Sequence, residues 1–220
     1  FDVSPLYKYE VRGRDAGRLL DRIVTRRVSG LAEGRVAYTP WCDERGKVLD
    51  DGTVAKIGEN HFRVTSGDPN YRWFTANAVG MDATIEDTSR KLAALAVQGP
   101  NARVVLERAM ERELGALRYF SLTTGSIRGV PVTVTRTGYT GDLGYEIWIP
   151  AESAVAVWDA ILEEGQHYGL LPAGLLALDM ARIEAGLLLL DVDYISARKA
   201  MVEGQTSTPL ELRLEWTVAF

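Results

Sequence analysis

Two adjacent carboxylates inside an apolar run constrain this chain more than any other feature. Residues 45–56 read Arg-Gly-Lys-Val-Leu-Asp-Asp-Gly-Thr-Val-Ala-Lys. Gly46 breaks the preceding run, and Val48, Leu49, Val54 and Ile57 are strand formers, so the stretch predicts a turn feeding a strand. Asp is depleted in strands, and a buried carboxylate needs a partner or a ligand. Successive strand side chains point to opposite faces. Val48, Asp50 and Gly52 therefore share one face, and Leu49, Asp51 and Thr53 share the other. At most one of the two acids faces an interior site. From these residues alone, a bulge or strand end meeting water competes evenly with a functional role.

The rest of the composition narrows the setting. A chain of 220 residues, 46% hydrophobic and 25% charged, is globular and long enough for one large domain or two smaller ones. The net charge of -5, with both signs interspersed, gives no support for nucleic-acid or anionic-membrane partners. Cys42 is the single cysteine, which leaves no internal disulfide and fits a reducing, cytoplasmic compartment. No apolar run approaches the roughly 20 residues of a membrane span, and no signal peptide is evident. The chain opens on Phe1-Asp-Val-Ser rather than Met and ends on strand-like residues 216–220. Both ends are expected to be cuts through a longer protein.

Periodicity predicts an α+β order. Strands are expected at residues 6–11, 36–41, 61–65, 83–86, 92–97 and 145–149, besides the one that carries Asp50. Residues 58–60 read as a hairpin turn, and residues 117–126 and 130–136 as strands paired around Arg128-Gly129. Helices are expected at about 16–28, capped by Asp15, after Pro69, from Pro100 to about Met110, at 152–163 and at 173–185, ended by Gly186. Arg22, Arg26 and Arg27 read as a solvated helix face. Strands and helices alternate without the regular crossover of a doubly wound fold. Two subdomains are expected, residues 1–92 and 93–220, with no sequence repeat between them.

Candidate motifs are few. Gly138-x-x-Gly141-x-x-Gly144 leads into a strand rather than a helix, so it is not a dinucleotide fingerprint. It reads as a tight loop where backbone approaches a ligand or a neighbouring strand. His61 and His167 lack ligand-type neighbours, Cys42 reads as a core thiol, and no Gly-x-Ser-x-Gly elbow occurs. Glu146 sits in a strand directly after the glycine loop. A carboxylate accepts two N–H donors at once and suits the aminopyrimidine edge of a pterin or purine, with Tyr38 and Tyr139 as flat surfaces. A solvent-facing Glu is the competing reading.

Several segments together resemble the aminomethyltransferase superfamily, the glycine-cleavage T-proteins and their folate-dependent relatives. They include Phe1-Asp-Val-Ser4, Tyr38-Thr39, Gly46-Lys-Val-Leu-Asp-Asp51, Leu95-Ala-Val-Gln-Gly-Pro100, Arg136-Thr-Gly-Tyr-Thr-Gly141, Gly144-Tyr-Glu-Ile147 and Arg182-Ile-Glu-Ala-Gly186, in the family's order. The resemblance implies a cloverleaf of subdomains around a folate site, here without the C-terminal barrel. It implies tetrahydrofolate as cofactor, Asp51 beside the reactive nitrogens as catalytic acid, and Glu146 on the pterin, with Tyr38 and Tyr139 lining the pocket. Thr53, on Asp51's strand face, is counted with them. The implied reaction is transfer of an aminomethyl or methyl group, in which a fixed carboxylate stabilises developing positive charge and takes a proton. No covalent enzyme intermediate is required.

The departures bear on the donor. T-proteins have an Arg–Asp pair where this chain has Leu178-Asp179, and residues 187–199 differ from their signature. Ala55 and Pro5 stand where relatives often have an aromatic residue and a His. The implied partners are a small-molecule methyl or aminomethyl donor and, on the T-protein reading, a lipoyl carrier protein. The alternatives are a folate-dependent demethylase of another small molecule, a non-catalytic folate-binding module, or an interaction fragment.

Overall fold

Alternating and helical apolar patterns sort the chain into four layers, two of sheet between two of helix. The computed structural model describes residues 1–186. The strand-like residues 216–220 and the divergent run 187–199 lie outside the described residues. Strands β1 (Tyr7–Arg12), β2 (Val36–Cys42), β3 (Val48–Gly58), β4 (His61–Ser66) and β5 (Thr84–Asp87) form an antiparallel sheet in the order β2-β3-β4-β1-β5. Strands β6 (Leu92–Gln98), β7 (Leu122–Ile127), β8 (Val130–Thr135) and β9 (Gly144–Pro150) form a second, in the order β6-β9-β8-β7. The α+β class is as the sequence predicts, and of the mixed or antiparallel sheets it allows, the structure has antiparallel pairing in both.

Each sheet buries one face under its own helices. Helices α1 (Ala16–Ile23) and α2 (Tyr71–Asn77) cover the first sheet, where Leu19, Leu20, Ile23 and Phe74 pack on Tyr9, Val11, Trp41, Val54, Phe62 and Val64. Helices α3 (Ala102–Met110) and α4 (Ala154–Gly165) cover the second, packing Val105, Leu106, Val157 and Ile161 on Leu95, Val97, Ile147 and Ile149. Period-2 alternation therefore leaves each sheet a second face. On the first sheet that face carries Glu10, Tyr38, Asp51, Thr53, Arg63 and Thr65. On the second it carries Ala94, Ala96, Thr133, Thr135, Glu146 and Trp148. These faces turn toward one another: the Arg63 guanidinium lies 5.7 Å from the Trp148 ring centre. Residues of both sheets, among them Thr53, Thr65, Thr133 and Thr135, line one small cavity.

Two backbone stitches hold the sheets together. Residues 34–36 pair with 120–122, Val36 N–H donating to Phe120 O at 2.9 Å and Leu122 N–H to Gly34 O at 2.8 Å. The first residues of the chain pair with β6, Val3 N–H donating to Ala94 O at 2.9 Å. The last described helix, α5 (Leu175–Glu184), ends at Gly186, whose φ of 74° is the left-handed stop expected of it.

Some boundaries differ from expectation for identifiable reasons. The first helix stops at Ile23, because Asp21 Oδ1 accepts the N–H groups of Val28 and Ser29 at 2.6 and 2.9 Å and folds the chain back. Val24 pairs instead with Trp41. Asp15 makes no side-chain cap bond; its carboxylate accepts from Asp82 N–H at 2.9 Å. Strand β7 begins at Leu122 rather than at 117, since Phe120 takes a positive φ of 52° that no strand tolerates. No helix among the described residues is long and apolar enough to cross a membrane.

Candidate active site

The acid pair divides as alternation requires. Asp50 stands opposite Trp41 in the β2–β3 register, on the face that packs against the helices. Its Oδ2 accepts from Asn70 Nδ2 at 2.7 Å and from Asp68 N–H at 2.9 Å, and its Oδ1 from Asp51 N–H at 2.7 Å. Asn70 is itself buried, accepting from Trp41 Nε1 at 3.1 Å and donating its backbone N–H to Tyr9 Oη at 2.8 Å. Burial raises the Asp50 carboxyl above its ordinary range, and these three donors work against that rise. Asp50 is thus an internal strut of the core.

Asp51 takes the other face. Its Oδ2 accepts the Tyr38 hydroxyl, a diagonal cross-strand contact, since Asp51 lies opposite Pro40 and Tyr38 opposite Thr53. Tyr38 remains 43% exposed, so the pair borders open space. Burial, then the hydrogen bond to Asp51 and its charge, push the Tyr38 phenol well above its ordinary value. The phenol stays protonated and donates. Thr53 is committed sideways: its hydroxyl shares a 2.6 Å hydrogen bond with Thr65 of β4.

The second sheet contributes the other two predicted residues. Tyr139 rides on the glycine loop between β8 and β9. Its phenol is pushed up to about 12, first by burial, with the charges of Asp51 and Asp179 adding to the rise and Arg182 opposing it. The Asp51 charge raises both Tyr38 and Tyr139, and Tyr139 adds to the rise of Tyr38, so these three groups lie in one neighbourhood. The Arg182 guanidinium lies 5.9 Å from the Tyr139 ring centre and donates from Nε to Asp179 Oδ1 at 2.5 Å. The Tyr139 hydroxyl is buried and has no hydrogen-bond partner among the described residues. A buried donor without an acceptor among the described residues has its hydrogen bond still to make.

Glu146 is half-buried on β9, not solvent-facing. Its Oε2 accepts the Thr137 hydroxyl, and Thr137 shares a 2.7 Å bond with Thr135, which in turn accepts from Trp148 Nε1 at 3.3 Å. Burial raises the Glu146 carboxyl, and the Thr137 and Thr135 hydroxyls lower it in part. Tyr38, Asp51 and Tyr139 therefore converge, while Thr53 and Glu146 line the facing sheets through threonine pairs.

Several residues here carry no mark that apolar periodicity detects. Asn70 sits twenty positions after Asp50 in a loop, and nothing local foretells their bond. Gln98 closes an apolar strand, and its amide lies against the glycine loop. Thr133, Thr135 and Thr137 do leave a trace, a period-2 row of hydroxyls on one face. Leu178, where T-proteins have an arginine, packs in an apolar group with Val3, Ala94, Ala96 and Trp148.

Comparison with known proteins agrees with this fold. An aminomethyltransferase of Halothermothrix orenii is 37% identical over 224 residues, covering 100% of this chain and 60% of the relative. A trimethylamine-oxide aldolase of Ruegeria pomeroyi is 40% identical over 204 residues, covering 88% of this chain and 26% of that protein. The chain thus spans about 60% of the length of the aminomethyltransferase it matches. Among solved structures, the glycine cleavage system aminomethyltransferase T from Bartonella henselae superposes with a TM-score of 0.76 at 27% identity, over 86% of this chain and 51% of that one. Residues 1–220 match the GCVT N-terminal domain, and the chain belongs to that family.

Proposed function

We propose that this chain carries the folate-binding and reacting part of a one-carbon transferase that resembles the glycine-cleavage T-protein. The observation that carries the reading is the convergence of Asp51, Tyr38 and a Tyr139 hydroxyl with no acceptor among the described residues. Such a set fits a polar heterocycle with nitrogen donors and acceptors, and tetrahydrofolate is one. When bound, tetrahydrofolate supplies the nitrogen that takes up the one-carbon unit. Asp51 holds a fixed negative charge where positive charge develops and accepts the proton that leaves. Tyr38, kept protonated, orients the Asp51 carboxylate through its hydrogen bond. Tyr139 donates its hydroxyl to the ligand, and Glu146 accepts N–H donors of the ring, its carboxylate aimed by Thr137. Thr53 fixes the strand face on which Asp51 stands.

A methylated small molecule as donor is the second reading. It is favoured by Leu178, which places an apolar side chain where T-proteins carry a cation, and by the 40% identity to the trimethylamine-oxide aldolase. Turnover separates the two. The intact protein is supplied with tetrahydrofolate and either an aminomethyl-lipoyl carrier protein or a panel of methylated amines. Product from the carrier alone supports the first reading, and product from an amine alone supports the second.

A further inference from the structure

We propose that Gln98 is a positioning residue for this site, the mould on which the loop bearing Tyr139 sets. The role of that loop toward a ligand rests on the folate reading above; the geometry of the mould does not. Gln98 ends β6 and stands opposite Gly144, the first residue of β9. Its Oε1 accepts the Thr140 hydroxyl at 3.2 Å, and its Nε2 donates to Tyr145 O at 3.4 Å. The neighbouring Gly99 N–H donates to Leu143 O at 2.8 Å and closes the far end of the loop.

The glycines give the clearest sign. A Cβ at Gly138 or at Gly144 would run into the Gln98 amide. Neither residue lies in the left-handed region, so backbone conformation does not demand glycine at either position. A Cβ there would displace the Gln98 amide, the end of a flexible side chain, which gives way only by leaving Thr140 Oγ1 and Tyr145 O. One amide therefore accounts for two of the loop's three regularly spaced glycines, and the loop wraps it from both ends. Thr137, which aims Glu146, directly precedes the first anchor, and between the anchors sits Tyr139, whose hydroxyl has no partner among the described residues. A loop outside regular structure has little stability of its own. Holding it in the bound shape lowers the ordering cost of binding.

The test uses the intact protein and two readouts, amide hydrogen exchange without ligand and tetrahydrofolate affinity by calorimetry. Gln98→Ala is expected to speed exchange across residues 137–143 at least tenfold and to weaken affinity at least tenfold. Gly138→Ala is expected to do the same in the wild-type background and to add nothing in Gln98→Ala, where the colliding amide is gone. Tyr139→Phe should cost affinity in the wild type and less than half as much in Gln98→Ala. Gln98→Met keeps the volume without the hydrogen bonds and supplies the same readouts if the alanine variant fails to fold. Unchanged loop exchange in the Gln98 variant, or an equal Gly138→Ala effect in both backgrounds, overturns the inference. A wild-type protein that holds no tetrahydrofolate yet shows the exchange changes refutes the folate reading and supports the mould.

Discussion

Two carboxylates on neighbouring residues repel when both ionise, and β3 relieves the repulsion by sending them to opposite faces. Asp50 accepts three N–H donors and Asp51 one phenol, so Asp51 keeps the greater capacity for a ligand. Asp51→Asn is expected to reduce one-carbon transfer by about 10²-fold or more, the usual weight of a general base, with little change in melting temperature. Equal turnover in the variant would remove Asp51 from the chemistry. Glu146 allows a pH test. Its folded carboxyl titrates above the ordinary 4.5 because burial penalises the charge. The charge penalty is absent below that value and is imposed as pH rises through the raised one. Glu146→Gln should therefore gain stability on wild type between pH 4 and neutrality, read as a growing difference in melting temperature. A constant difference across that range contradicts the assignment.

At the scale of elements, the β2–β3 hairpin is held to α2 through one amide. Asn70 satisfies Trp41 Nε1 and Asp50 together, and its own N–H reaches Tyr9. Asn70→Ala leaves a buried indole N–H and a carboxylate short of partners, at a cost of about 1–3 kcal/mol per group. Urea denaturation is expected to show that loss, with the midpoint lowered and the slope unchanged. The strands, their antiparallel pairing and most helices were legible because each buries one face against its own layer, which forces period 2 or 3.6. The end of α1 was not, because the Asp21 bonds to Val28 and Ser29 override a helical apolar pattern that continues past Ile23. The Asp50–Asn70 bond was hidden for a related reason: it joins a strand to a loop, and neither partner repeats.

Across the described residues, the helices cover the outer faces of the sheets, and the inner faces join polar side chains to a small apolar group around Trp148. Glu10 is buried on β1, where it accepts from Arg63 Nε at 2.7 Å and from His61, while the Arg63 guanidinium reaches the Trp148 ring. This ion cluster joins the seam between the sheets to the first of them. Arg12, 3.6 Å from Glu10 Oε2, remains beside it, so removing Arg63 leaves the buried Glu10 charge only partly compensated. Arg63→Met is thus expected to destabilise the protein by about 1.5–3 kcal/mol in chemical denaturation, the weight of a hydrogen bond to a charged group, and a neutral effect would show that the seam does not depend on it. The candidate residues were legible one strand at a time, as acids out of place in apolar runs. That Tyr38 and Asp51 of one sheet lie within electrostatic reach of Tyr139, on a loop of the other, depends on pairing such as that of 34–36 with 120–122, which no periodicity announces.

The central claim is that these two faces hold a folate. Titration calorimetry of tetrahydrofolate into the intact protein, wild type beside Glu146→Ala, tests it directly. The account predicts that the wild type binds and that the variant loses about 1–3 kcal/mol, the cost of leaving ligand donors unpaired in a buried site. Binding of equal strength to both proteins, or to neither, would contradict it.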